Sequence, residues 1–384
     1  MALRQLILNH KHSPRRLCWL TAPLLAFGCD AEPEDVSTVD SSAVGVALRA
    51  DARVKVVSGC DEHADCDSLT CDTYAAAGRG KCIAANRILY VDAQCDSETN
   101  AGTLEDPFCE IGDAVAAAES TGKDVIRVMP GSYRPLITAG SLRVFGPAGE
   151  GGVARLFEED SGAVRAMSGA DVVVDGFALG GPTHSGLLCE SARAVVRRST
   201  LQSDVGSAVR GRGRVLELDR TVITTRLSAI ELNDTSFDIT NTFITGSSER
   251  SAVVVNGGGG RFRFVTVTGN AVETSALGPF DCGSASVRIE DSIVVGNSTY
   301  DTGSQFQGTC VLDRVVVGND TTTSAGAIHE TPVFGESYQL ALSPENLECC
   351  IDRASAGRSV RWDIDGTRRP QGDRADLGAY EVIQ

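Results

Sequence analysis

Six residues able to do chemistry recur at one position of a repeated segment: Asp175, Arg197, Asp219, Thr240, Arg263 and Glu290. Each stands four residues before the apolar residue that closes its segment. If the segments stack at strand spacing, Asp175 and Asp219 lie two layers apart, about 9.6 Å. That is near the wide limit for a carboxylate pair that cleaves a glycosidic bond with inversion. Arg197 falls between them, and its charge neutralises both. The expected reading of the column is therefore a surface ladder of opposite charges, contributing ~0.2–1 kcal/mol per pair. The alternative is a strip that binds or cleaves sugar, with Asp175, Arg197 and Asp219 as its catalytic candidates. No lysine follows Lys123, and the only histidines beyond it, His184 and His329, sit beside turn-like residues. Both are expected to be solvated surface groups without a catalytic partner.

Positioning such a column requires a repeating scaffold, and the chain spells one out. Segments of alternating apolar and polar residues close at Leu179, Leu201, Ile223, Ile244, Val267, Val294 and Val316, at spacings of 22, 22, 21, 23, 27 and 22. Ser185, Ser207, Ser228 and Ser251 keep the same beat, at 22, 21 and 23, and are expected at a corner or inside. Two sub-patterns sharing one period indicate a solenoid. Alternation within each segment is strand periodicity, and Gly, Asn, Asp and Ser fill the turns between. No repeat has room for a helix, and propeller blades need about 40–50 residues. The pattern predicts an all-β, right-handed parallel β-helix with Val, Ile, Leu and Phe stacked inside. Asn270, Asn297 and Asn319, each after a glycine, are expected to stack at a corner and satisfy backbone groups there.

Composition narrows the setting. Arg4, Lys11, Arg15 and Arg16 precede a short apolar run, Leu17 to Phe27, followed by Gly28-Cys29. Residues 1–28 are expected to be an export signal, too short in its apolar run to span a bilayer. The stretch resembles a bacterial lipoprotein signal, which implies lipidation of Cys29, although Ala26 and Phe27 depart from the usual box. Residues 29–58 read as a flexible polar tether. The full chain carries a formal charge of −16, and residues 30–124 hold 20 acidic against 7 basic side chains. Such a surface disfavours nucleic acid. The expected location is exported and membrane-anchored, at the outer membrane or cell surface. The expected partners are an extracellular polysaccharide or a surface protein, with the membrane met through the lipid.

Cysteines point the same way. Cys60, Cys66, Cys71 and Cys82 crowd into a module over 59–88 that is too small to bury a core unaided. Their spacing lacks the paired knuckles favoured by zinc. The segment resembles the small disulfide modules of extracellular proteins, and analogy with interleaved modules suggests Cys60–Cys71 with Cys66–Cys82. Cys95 and Cys109 bracket a loop, and Cys282 and Cys310 are placed to pair across neighbouring coils. Cys189, Cys349 and Cys350 form an odd set, so at least one is expected to remain a buried thiol.

Family resemblance enters at the ends of the solenoid. Leu89-Tyr-Val-Asp-Ala, Gly102-Thr-Leu-Glu-Asp-Pro-Phe, Ile111-Gly-Asp-Ala-Val-Ala-Ala-Ala and Val125-Ile-Arg-Val-Met-Pro-Gly-Ser-Tyr133 resemble the start of pectate-lyase-like β-helix proteins. Ile111, Val115 and Ala118 predict a short amphipathic helix over 110–120, and the resemblance implies that it closes the open core. Val125–Val128 is expected as the first strand of a β-helix spanning 89–340. Asp363-Ile-Asp-Gly-Thr-Arg-Arg-Pro370 and Asp376-Leu-Gly-Ala-Tyr-Glu381, within 341–384, resemble a closing motif of bacterial surface β-helix proteins. No cofactor is expected. Asp363 and Asp365 are the candidate ligands should Ca2+ bind, with capping turns their expected role. The resemblance implies that lyases of this scaffold set Ca2+-holding carboxylates beside an arginine or lysine base and that hydrolases cluster aspartates with histidine and lysine, and those clusters do not stand out in these repeats. The expectation is a binding protein, with a lyase or glycosidase as the alternative.

Overall fold

The computed structural model describes residues 59–383, apart from 62, 75–79, 97–99, 148–151, 158–161, 182–184, 274–277, 300–302, 319, 322–323 and 358–359. All of these lie in one compact unit, Val56–Gln384. The expected signal, tether and Cys29 fall outside the described residues, as do His184 and Asn319.

Each coil contributes three strands, and every pairing between successive coils is parallel. The first face contains Asp171–Asp175, Arg193–Arg197 and the opening half of Val215–Thr225. The second runs through Phe177–Gly181 and Thr200–Ser203, the third through Leu187–Glu190 and Val209–Arg212. Inward residues line up from coil to coil, as in Leu179, Leu201, Ile223, Ile244, Val267 and Val294. Phe237, Phe262, Phe280 and Phe306 stack within the core at ring distances of 5.1, 5.1 and 5.8 Å.

Two details of register differ from the sequence reading. The first strand is Ile88–Val91, paired with Val125–Val128, so the helix of Ile111–Thr121 is inserted between two coil strands. Its Ile111, Ala114, Val115 and Ala118 nonetheless plug the core. At the other end Val316 pairs with Ile293, not Val294. The last repeat is therefore 23 residues long, and Val317 is the inward residue. A slip of one position turns Val316 to the outer face, where it packs against the tail.

The corner between the first two faces has one conformation throughout. Gly176, Arg198, Arg220, Asn241, Phe264, Asp291 and Arg314 all have positive φ, between 45° and 56° for the six non-glycine residues. One left-handed residue turns the chain sharply and costs about 1–2 kcal/mol when it carries a Cβ. Hydroxyls on the next residues offset that cost. Ser199 and Ser292 accept from the amides of Phe177 and Val265 at 3.1 Å, and Thr221 bonds Thr242 at 3.0 Å.

Residues 340–357 and 360–382 pack along the flank of the coils as well as following the last one. Phe264, Ile293, Val295 and Val316 form a second apolar cluster with Leu340, Ile351, Ala375 and Leu377. Gly378 is required there, since a Cβ would stand 2.6 Å from Thr266 Oγ1. The motif residues hold this tail together. Asp363 accepts from the amides of Thr367 (2.6 Å) and Glu381 (2.9 Å), and Asp376 from those of Asp352 and Val382. Buried Arg369 donates to the carbonyls of Asp376 and Gly378 and stacks on Phe264.

Disulfides join Cys60–Cys71, Cys66–Cys82, Cys95–Cys109 and Cys282–Cys310. Cys349 bonds Cys350, and Cys189 is the buried thiol.

Candidate functional site

The stacked column exists in register, with Asp175, Arg197, Asp219, Thr240, Arg263 and Glu290 as successive neighbours. It is not the exposed alternating ladder expected. Asp175 is fully buried and pairs with Arg198, the corner residue, at 2.6 Å. Arg263 turns to Asp238, and Glu290 meets Arg288. The true alternating ladder lies elsewhere, where Arg193 bridges Asp171 and Glu217 at 2.8 Å each.

The cause is the disulfide module, which docks on the first face and changes what the column meets. Its His63 ring lies edge-on to Phe145 at 6.0 Å, and Asp72 pairs with Arg143 at 3.2 Å. Tyr74 reaches furthest. Its hydroxyl donates to Asp219 Oδ2 at 2.6 Å, and the Arg197 guanidinium lies 3.9 Å from its ring centre. Asn241 donates to the other Asp219 oxygen at 3.0 Å. Burial raises the Asp219 pKa, with Tyr74, Asn241, Arg220 and Arg197 pulling the other way. Burial and Asp219 raise the Tyr74 pKa well above the ordinary value, so the phenol stays a donor.

Between Tyr74 and the C-terminal tail lies a cavity of about 410 Å³, whose lining includes Tyr74, Arg197, Asp219, Arg263, Arg361 and Trp362. Arg361 lies over the Trp362 ring at 4.7 Å. The surface continues along the coils into a shallower depression of about 590 Å³, sharing Asp238 and adding Arg261, Arg288, Glu290 and Val311. The arrangement offers aromatic walls, a guanidinium-rich lining and a coil-by-coil repeat. Arg197 and Asp219 are brought into this groove, and Asp175 is excluded from it. Tyr74, Arg361 and Trp362 were invisible to a reading of the repeats, because they come from segments before and after them. An aromatic residue in a cysteine-rich segment and Trp362 ahead of the closing motif were the only signals.

Asp363 and Asp365 do not join as a pair of ligands. Both oxygens of Asp363 serve backbone amides, and Asp365 Oδ2 accepts from Gln339 at 2.9 Å. His329 is exposed.

No family model matches the chain, and no curated protein matches it. Among solved structures it is similar to pectate lyase Pel9A, at 15% identity and a TM-score of 0.47, covering 78% of this chain and 97% of that one. It is also similar to a rhamnogalacturonan lyase, at 10% identity and a TM-score of 0.36, covering 63% and 84%.

Proposed function

We propose that this is an exported, lipid-anchored β-helix protein that binds an extended polysaccharide in the groove between Tyr74 and Trp362. One observation carries the reading: two aromatic side chains from opposite ends of the chain wall a groove lined by Arg197, Asp219 and Arg263. Aromatic rings suit the apolar faces of sugars, and guanidinium groups suit acidic substituents. The groove runs with the coil repeat, so a repeating ligand meets a repeating surface.

The test is a panel of neutral, uronic and sulfated glycans titrated against the wild-type chain and Trp362→Ala. Binding of one class, weakened about tenfold in the variant, supports the reading. No binding, or equal binding by both chains, overturns it. Release of unsaturated uronides absorbing near the ultraviolet edge, lost in Asp219→Ala, would make the groove a lyase site instead. Export and anchoring rest on Gly28-Cys29 after a short apolar run. Cys29→Ser should move the protein from the detergent fraction to the soluble one in a Gram-negative host, and unchanged fractionation would leave a plain cleaved signal.

A further inference from the structure

We propose that Arg198, Arg220 and Arg361 form a binding site for a small oxyanion (sulfate, phosphate or carboxylate). The site lies where the disulfide module, the coil corner and the C-terminal tail meet. These three side chains line a cavity of about 240 Å³ whose lining also includes Asp61, Thr73, Trp362 and Gly366. Arg198 and Arg220 are neighbours in the left-handed corner column, one strand spacing of about 4.8 Å apart. Asp175 pairs with Arg198, and among the residues that line the cavity three guanidinium groups stand against one carboxylate, Asp61.

The hydrogen-bonding groups around the cavity are incomplete in one specific way. Arg198 Nη2, Arg220 Nε and Thr73 Oγ1 are buried and have no hydrogen-bond partner among the described residues. Buried donors without acceptors are rare enough in folded proteins to need an explanation. The carboxylates nearby already have partners. Asp175 accepts from Arg198 Nε, Asp219 from Tyr74 and Asn241, and Asp365 from Gln339. Asp61, which also lines the cavity, stands 4.0 Å from Arg361. Gly366 completes the fit, because a Cβ there would stand 2.7 Å from Arg220 Nη2. A water molecule would satisfy one of these donors but bring no charge. An oxyanion offers several acceptor oxygens at once and a charge opposite to that of the three lining guanidinium groups.

The cavity shares Thr73, Arg361 and Trp362 with the polysaccharide groove. The anion has two sources, a free ion or an acidic substituent of a chain in the groove. The site itself does not depend on the groove reading. Sodium sulfate and sodium phosphate should raise the melting temperature of the full chain in a saturable way, beyond sodium chloride at matched ionic strength. Arg220→Asn keeps a residue suited to left-handed backbone, as Asn241 shows in the same column. Together with Arg361→Gln, it should weaken sulfate binding at least tenfold by calorimetry, with unchanged circular dichroism in each variant. Competition between sulfate and an acidic oligosaccharide would assign the site to the chain's substituent, and binding without competition would assign it to the free ion. Either supports the site. A sulfate response no larger than that of chloride, or one retained in both variants, overturns it.

Discussion

Acid should release the disulfide module, and one histidine sets the scale. His63 is 6% exposed, and its Nδ1 accepts the Cys71 amide at 2.9 Å, so the ring sits in the fold as the neutral form. Burial, with Arg127 and Arg198 nearby, lowers its pKa from 6.5 to about 3. A depressed folded pKa means that docking stability is fully present above 6.5 and is lost as pH falls toward 3. At about 1.4 kcal/mol per pH unit the full loss is about 5 kcal/mol, comparable with the whole stability of a small domain. Trp362 lines the cavity beside Thr73 of the module, and Trp19 is the only other tryptophan. In a chain beginning at residue 30, Trp362 emission therefore reports the junction of module and tail, and the comparison with His63→Gln isolates the module's share. The wild-type signal should shift between pH 6 and 4. In His63→Gln, which keeps an acceptor for the Cys71 amide, that transition should move at least one pH unit lower. Superimposable curves for the two chains would refute the argument.

Three further outcomes follow from the same geometry. Asp376 has its pKa raised to about 6, chiefly by burial, so tail packing should be about 2 kcal/mol stronger at pH 4 than above 7; thermal melts of His63→Gln should show this opposite slope once the histidine is gone. Tyr74→Phe removes the hydrogen bond to half-buried Asp219 and should cost about 1.5–3 kcal/mol in urea unfolding, against no change if the module is held without it. Ile223→Asp places an unpaired charge in the stacked core and should cost several kcal/mol, whereas tolerance comparable to a surface change would mean the register is wrong.

The coil repeat was legible because every coil must write its own alternation and turns, and the beat is heard several times over. Val316 was misplaced for the converse reason: the last repeat is one residue longer, and both Val316 and Val317 are apolar. The corner column could not be read at all. Of its residues only Gly176, Asn241 and Asp291 are types that favour left-handed backbone, while arginine and phenylalanine give no such signal. Asp175 looked like an outward charge because the module packed beside it lies a hundred positions earlier in the chain. The groove depended on the same kind of contact, Tyr74 to Asp219 across 145 positions, for which spacing within the repeats holds no information.

That long-range assembly has a consequence for how the protein is made. The groove is built from residues 73–74, 195–263 and 360–362, so its walls are complete only after nearly the whole chain has been synthesised. Coils can add one upon another as they emerge, each contacting its predecessor. The module and the tail must wait, since the tail's Ala379 amide is clasped by Thr266 across 113 positions and Arg361 stands over the module's edge. A chain cut short at residue 355 would keep its coils and lose the groove. Completion of the groove is thus a report on synthesis through residue 362, and a nascent or truncated copy would have unfinished walls even where its solenoid is intact.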